Sequence, residues 1–241
     1  PRDAKSVPIS APVRAALGIT ARALSPAELI RAILRAPVDL LWNGGIGTYV
    51  KAAAETHSEV GDRSNDALRV DGRELRCRVV GEGGNLGFTQ RGRIEYALAG
   101  GRINTDAIDN SAGVDCSDHE VNLKILLAGR ERAGALTRPA RNRLLRGMTQ
   151  AVASAVLRDN YEQALALSAD SSQAAWLLDE HARLLRLLER SGLKRDLEVL
   201  PDDATVQTRA AAGQGLSRPE LAVLLAFAKL HLYGQLIPTA L

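Results

Sequence analysis

Residues 80–87 read V-G-E-G-G-N-L-G and residues 110–117 read N-S-A-G-V-D-C-S, and these two segments decide the predicted fold. Each is a glycine-and-asparagine loop at the end of a predicted strand. Small residues let the backbone approach a flat ligand closely, and asparagine amides offer donors and acceptors to a carboxamide or a ribose. Together the two loops predict the two sides of a nucleotide crevice.

Helix and strand alternate in the N-terminal part of the chain. S-P-A-E at residues 25–28 is a capping box with proline at the first helical position, and it predicts a helix that ends before Pro37. A helix is also predicted at residues 91–99. Three short strands are predicted at residues 38–42, at residues 75–80 and around Ile103. The first is nearly all apolar, as in a strand buried on both sides of a parallel sheet. This order favours parallel crossovers with ligand contacts at the carboxyl ends of the strands.

Residues 55–73 are polar and predict a long loop, in which His57 and Asp62 face solvent.

The chain after Ser117 predicts helices only. S-D-H-E at residues 117–120 is a second capping box, which predicts a helix with Val121, Ile125 and Leu126 facing inward. Further helical patterns follow at residues 137–167, at residues 171–189 with Ala175, Leu178, Leu185 and Leu188 on one face, and at residues 221–236 behind a third capping box at 217–220. The predicted fold class is therefore α/β, with a partial Rossmann-like parallel sheet in residues 1–117 followed by an all-α helical region in residues 118–241.

Composition limits the classes of function. The 241 residues are 46% hydrophobic, and Lys and Arg exceed Asp and Glu by three, without a basic tract of the kind that binds nucleic acid. Cys77 and Cys116 are too few for a disulfide framework and fit a reducing compartment. No apolar run approaches the roughly 20 residues that cross a bilayer. We expect a soluble, cytoplasmic protein that binds neither nucleic acid nor membrane.

The loop at residues 81–87 is not predicted to be a dinucleotide phosphate loop. Its last glycine comes one residue late for G-x-G-x-x-G, and no acidic residue about 20 positions on ends a second strand.

Several motifs resemble one enzyme family. E-G-G-N at residues 82–85 with Thr89 resembles the E-G-A-N-x-x-x-T segment of glutamate dehydrogenases and related amino-acid dehydrogenases. N-S-A-G-V at residues 110–114, with Ser117 and Glu120 following, resembles their N-A-G-G-V segment. Residues 41–49, 60–63 and 218–224 are similar to the very large bacterial NAD-specific glutamate dehydrogenases. The resemblance covers nearly the whole chain.

The resemblance implies NAD as the cofactor, with L-glutamate and 2-oxoglutarate as substrate and product. Asn85 and Asn110 would hydrogen-bond the nicotinamide ribose or carboxamide, and Asn43 and Gly44 would line the coenzyme crevice one strand away. It also implies a homo-oligomer. Gly84 replaces the usual alanine, and Ser111-Ala112 replaces Ala-Gly; both changes keep the side chains small.

Val114 and Ser117 would contact the amino-acid substrate. A hydroxyl at a helix start lies near free N–H groups that favour an anion, such as the side-chain carboxylate of glutamate. Ser117 could equally be an N-cap paired with Glu120. No second pair of ligands accompanies Cys116 and His119, so no metal site is expected.

The family's substrate-binding lysine, catalytic aspartate and phosphate loop have no counterpart here, so no catalytic residue is assigned and the chain is expected to be an excised, inactive piece. Two alternatives stay open. The segment could serve as a helical assembly or regulatory module, or the enzyme could act on another amino acid, since the pattern at residues 110–114 is shared across the superfamily.

Overall fold

A computed structural model describes residues 4–237 of the chain. The described residues form β1 (Val7–Pro8), α1 (Ala11–Leu17), β2 (Ala23–Leu24), α2 (Pro26–Leu34), β3 (Leu40–Asn43), β4 (Val50–Lys51), α3 (His57–Val60), β5 (Val70–Asp71), β6 (Val79–Glu82), α4 (Gln90–Leu98), α5 (Asp106–Asp109), α6 (Ser111–Arg132), α7 (Arg138–Gly147), α8 (Thr149–Gln173), α9 (Leu178–Arg190), α10 (Asp203–Ala211) and α11 (Arg218–Leu236). The broad α/β prediction is confirmed, with more helix than strand.

The strands of residues 4–237 form three two-stranded sheets. β3 pairs with β6 in parallel, with Asn43 opposite Glu82, and β4 pairs with β5 in parallel. β1 and β2 are antiparallel. The strand predicted around Ile103 is reduced to a single parallel bridge between Val79 and Arg102. β3 and β6 correspond to the strands predicted at residues 38–42 and 75–80, and the second begins later than predicted, at Val79.

One prediction about β3 is wrong. The side chains of Leu40 and Trp42 are 53% and 59% exposed, so this strand is covered on one face only. The other face packs on a core formed by apolar residues from β4 to Ile103: Val50, Val70, Cys77, Val80, Phe88, Tyr96 and Ile103.

By its contacts, the chain separates into two compact units. Unit 1 comprises Pro1–Asp106 with Leu167–Leu241, and unit 2 comprises Ala107–Ala166. In unit 1 the buried leucines Leu178, Leu185 and Leu188 of α9 and Leu221 of α11 form the core of the helical part. In unit 2 no strand is found among the described residues.

Residues 55–73 are not the predicted loop. They contain α3, two 3-10 turns at Arg63–Asn65 and Gly72–Glu74, and β5. The polar side chains that suggested a loop are used in local structure, because Thr56 with Glu59 and Asp71 with Glu74 form capping boxes.

The helix predicted to start at Ser117 starts six residues earlier, at Ser111, so the domain boundary predicted at residue 117 lies inside α6. Small residues at 111–113 do not prevent the helix from extending back to Asn110. Val121, Ile125 and Leu126 were predicted to face inward, yet all three are exposed.

The other helices follow the predictions with local differences. The capping boxes at Ser25 and Ser217 are present and open α2 and α11. The pattern at residues 137–167 is divided at Met148 into α7 and α8, and Ala174 is buried in place of Ala175. Within residues 4–237, no helix combines the length and the apolar character that crossing a bilayer requires.

Candidate functional site

Two glycine-rich segments of unit 1 meet at the carboxyl edge of the β3–β6 pair. We call residues 43–47 the first glycine loop and residues 82–87 the second glycine loop. They leave the sheet side by side because β3 and β6 are parallel and end in register at Asn43 and Glu82. The Gly84 N–H donates to the Asn43 carbonyl at 3.0 Å, and the Tyr49 N–H donates to the Gly87 carbonyl at 2.8 Å. Backbone hydrogen bonds therefore join the second glycine loop to Asn43 at one end and to Tyr49, two residues past the first glycine loop, at the other.

Glycine is required in the second loop by close packing. A Cβ at Gly84 would lie 2.5 Å from the carbonyl oxygen of Gly45, and one at Gly83 would lie 2.4 Å from the Trp42 ring. A Cβ at Gly87 would overlap the side-chain amide of Asn43, at 1.6 Å. These glycines thus let the two loops touch each other.

The predicted cofactor residues Asn43, Gly44 and Asn85 all lie on these loops. Asn43 Oδ1 accepts a long hydrogen bond from the Gly45 N–H at 3.4 Å, whereas Asn43 Nδ2 is buried and has no hydrogen-bond partner. A buried donor without a partner costs about 1–3 kcal/mol. Gly44 and Asn85 are exposed. The structure thus places three of the four predicted cofactor residues at one edge of one sheet.

A buried ionic network lies beneath the second glycine loop. Glu82 is fully buried, and its carboxylate accepts from Arg93 Nε at 2.7 Å and Arg93 Nη2 at 3.0 Å. The same Nη2 lies 3.3 Å from Asp106. Glu82 also accepts from the Phe88 N–H at 3.1 Å, and Asp106 accepts from the Leu86 N–H at 2.7 Å. Burial raises the pKa of the Glu82 carboxyl, and the bonds to Arg93 oppose that rise.

A second polar cluster holds the residue that follows the first glycine loop. Asp62 accepts from the Thr48 N–H at 2.9 Å, and buried Arg69 donates to the Thr48 carbonyl at 2.8 Å. Hydrogen bonds from Asn65, from the Thr48 N–H and from Ser64 lower the pKa of the Asp62 carboxyl to about 2. Asp62 was expected to face solvent; it is half-buried, and its carboxylate ties residues 55–73 to Thr48, directly after the first glycine loop.

Asn110, Val114 and Ser117 lie in unit 2, at the start of α6. Their spacing of four and three residues puts them on one face of the helix. Val114 is 60% exposed and Ser117 is exposed. Ser117 is not an N-cap: its hydroxyl donates to the Gly113 carbonyl at 3.3 Å, one turn back. The capping alternative is therefore wrong, because the helix begins at Ser111.

His119 lies close to two carboxylates within unit 2. Its Nε2 lies 3.5 Å from Asp115 and 3.5 Å from Asp159. The three potential ligand atoms lie within 4.8 Å of one another. Cys116, which the sequence pairs with His119, is exposed and is not part of this group. Carboxylates beside a histidine are common as ion pairs, and the absence of a metal site stays a prediction.

The sequence pattern missed the residues that hold the loops. Arg93 and Asp106 lie 11 and 24 positions after Glu82, in no motif of their own. Asp62 does lie in a quoted motif, V-G-D-R at residues 60–63, and its acid-and-arginine composition is the signal that could have identified it.

Comparison with known proteins identifies the family. Residues 1–170 match the model of the bacterial NAD-glutamate dehydrogenase catalytic domain. The chain is 55% identical over 237 residues to an NAD-specific glutamate dehydrogenase of Pseudomonas aeruginosa and 51% identical over 247 residues to one of Mycobacterium tuberculosis, with 98% and 100% of this chain covered. A third relative of the same name, from Halomonas elongata, is 53% identical over 98% of the chain.

The matched region is a small share of each relative, because the chain spans about 15% of their length. The family model nevertheless covers both glycine loops and the start of α6. The motifs, the matched model and the identity over nearly the whole chain agree, and the chain belongs to the bacterial NAD-glutamate dehydrogenase family.

Proposed function

We propose that this chain supplies the nicotinamide-side part of an NAD-dependent glutamate dehydrogenase. The full reaction is oxidative deamination of L-glutamate to 2-oxoglutarate and ammonia, and NAD, when bound, takes up the hydride. The observation that carries the proposal is the pair of touching glycine loops at the carboxyl edge of parallel strands β3 and β6, the place where α/β sheets bind nucleotides. The names of the three relatives support the substrate and the coenzyme.

The residues of the two loops fit a nicotinamide nucleotide. Asn43 has a buried amide N–H₂ without a partner, a donor of the kind that a ribose hydroxyl or a carboxamide oxygen accepts. Gly44 and Asn85 are exposed beside it. We assign Asn43 and Asn85 as hydrogen-bonding groups for the coenzyme, and Gly44 as the position that leaves room for it. Asn110, in unit 2, is assigned as a coenzyme-binding residue on the resemblance of its motif.

Val114 and Ser117 are assigned to the amino-acid substrate. Both are exposed on the same face of α6, which suits contact with a ligand. The Ser117 hydroxyl would leave the Gly113 carbonyl to donate to a carboxylate, exchanging a 3.3 Å neutral hydrogen bond for a stronger charge-assisted one. No lysine or aspartate of the chain is assigned to proton transfer.

The proposal also covers the domains, the location and the assembly of the protein. Residues 1–117 belong to a Rossmann-like coenzyme domain and residues 118–241 to a helical region of a cytoplasmic homo-oligomer. A second role, in assembly, is favoured by the last turns of α11, where Leu230, Leu232, Tyr233 and Leu236 are exposed.

Assay of the full-length protein with L-glutamate and NAD tests the proposal. We expect NADH formation that depends on both compounds, and none from the isolated 241-residue chain, because proton transfer needs positioned acid and base groups that this chain does not offer. A full-length protein that reduces NAD with another amino acid but not with glutamate would contradict the substrate. Turnover by the isolated chain would contradict the assignment of catalytic groups to other segments.

A further inference from the structure

Arg93 is the centre of the buried network under the second glycine loop. It projects from α4 and contacts two carboxylates, Glu82 at the end of β6 and Asp106 at the start of α5. Both it and Glu82 are almost entirely buried. A guanidinium can make this contact because its donors are arranged in a planar fork that reaches two acceptors at once.

Each carboxylate also accepts a hydrogen bond from a backbone N–H, one within the second glycine loop and one directly after it. Asp106 accepts from Leu86, and Glu82 accepts from Phe88. Leu86 has a φ of 59°, in the left-handed region that leucine rarely adopts. Such a conformation persists only when surrounding bonds hold it. The Leu86 N–H is held by Asp106, and Asp106 is held in turn by Arg93.

Asn85, the proposed coenzyme ligand, immediately precedes this constrained leucine. Its position therefore depends on the backbone between Glu82 and Phe88, and that backbone is held by two carboxylates that share one arginine.

We propose that Arg93 is a positioning residue for NAD binding, which fixes the second glycine loop in the conformation that presents Asn85 to the coenzyme. The inference rests on the proposed function, because it assumes that this loop contacts NAD. Arg93 itself is buried beneath the loop and acts through Glu82 and Asp106. The observations that carry it are the shared carboxylates and the positive φ of Leu86.

The test uses the full-length enzyme and two variants. Arg93→Lys keeps the charge but removes the fork, so it cannot hold both carboxylates in the same geometry. Asp106→Ala removes the anchor of Leu86 and leaves the Glu82–Arg93 pair in place, so it preserves the more buried part of the network. Arg91→Lys, at an exposed position of the same helix, is the matched control.

Steady-state kinetics and hydrogen exchange are measured on each protein. We expect the KM for NAD to rise about tenfold in both variants, as the loss of roughly one good hydrogen bond to the coenzyme would cause. The KM for glutamate should stay within about twofold. Peptides spanning residues 82–88 should exchange faster, and the control should match the parent. A merely structural role would lower kcat through loss of active enzyme and leave both KM values unchanged.

Different results would refute the proposed function and the role of Arg93. Absence of glutamate-dependent NAD reduction by the parent enzyme would refute the proposed function before any variant is compared. An unchanged KM for NAD in both variants of an active enzyme would overturn the role of Arg93 and leave the proposed function intact.

Discussion

Gly84 shows how little space separates the two glycine loops. A Cβ at this position would lie 2.5 Å from the Gly45 carbonyl oxygen. We expect Gly84→Ala to lower the free energy of unfolding by about 1–3 kcal/mol, because backbone has to move. Urea unfolding of the purified chain measures this. Gly45→Ala is the control, since a Cβ there meets nothing within 4 Å; equal stability of the two variants would contradict the packing.

Ser117 lies in the interior of α6. Its replacement distinguishes a role in stability from a role in substrate binding. Ser117→Ala should leave stability unchanged or raise it by about 0.5 kcal/mol, because alanine favours a helix and the only hydrogen bond shown for the hydroxyl is a long one to Gly113. In the full-length enzyme kcat/KM for glutamate should fall by about tenfold or more, as loss of a bond to a charged group would cause. Unchanged kcat/KM would remove Ser117 from the substrate site.

At the scale of elements, capping-box patterns in the sequence predicted the starts of two helices correctly. Ser25 and Ser217 have a glutamate three residues later and proline between them, and both form capping boxes. Ser117 also has a glutamate three residues later but no proline between them, and α6 extends back past it by a further turn and a half. A serine with a glutamate three residues later does not by itself say whether the preceding residues are helical, whereas a proline is tolerated only in the first turn of a helix.

Pairing between distant charges could not be predicted. Glu82, Arg93 and Asp106 come from three elements, and nothing local distinguishes Arg93 from the exposed Arg91 two positions earlier. The carboxyl edge of β3 and β6 was predictable because strand order alone brings those ends together. The exposed face of β3 was not, because the apolar run at residues 38–42 is equally compatible with burial on both sides.

The segment from α3 to β5 depends on the ionised form of Asp62. Its folded pKa is about 2, below the ordinary value of 3.8, so it stabilises the fold above about pH 4 and that contribution is lost as the pH falls toward 2. We expect the urea midpoint of Asp62→Asn to be lower than the parent's at pH 7 and to approach it near pH 2. Asp179→Asn, at an exposed position of α9, serves as the control. A constant difference between Asp62→Asn and parent from pH 7 to pH 2 would contradict the prediction.

At the scale of the whole molecule, the described residues expose several large apolar side chains. Leu40 and Trp42 on β3 and the last turns of α11 expose large apolar side chains. Surfaces of this kind mark contacts with other protein.

We expect the isolated chain to self-associate through α11. Its weight-average mass in sedimentation should rise with concentration, and Leu232→Lys with Leu236→Lys, one turn apart, should weaken that rise. Leu157→Lys, an exposed leucine of α8 in unit 2, is the control. A monomer at all concentrations would count against the assembly role of α11.

The central claim is that the glycine loops at the carboxyl edge of β3 and β6 contact the coenzyme, and the KM for NAD tests it most directly. In the full-length enzyme, Asn85→Ala and Asn43→Ala should each raise the KM for NAD by about tenfold, the effect of one lost hydrogen bond, while the KM for glutamate changes by less than about twofold. An unchanged KM for NAD in both variants would contradict the account.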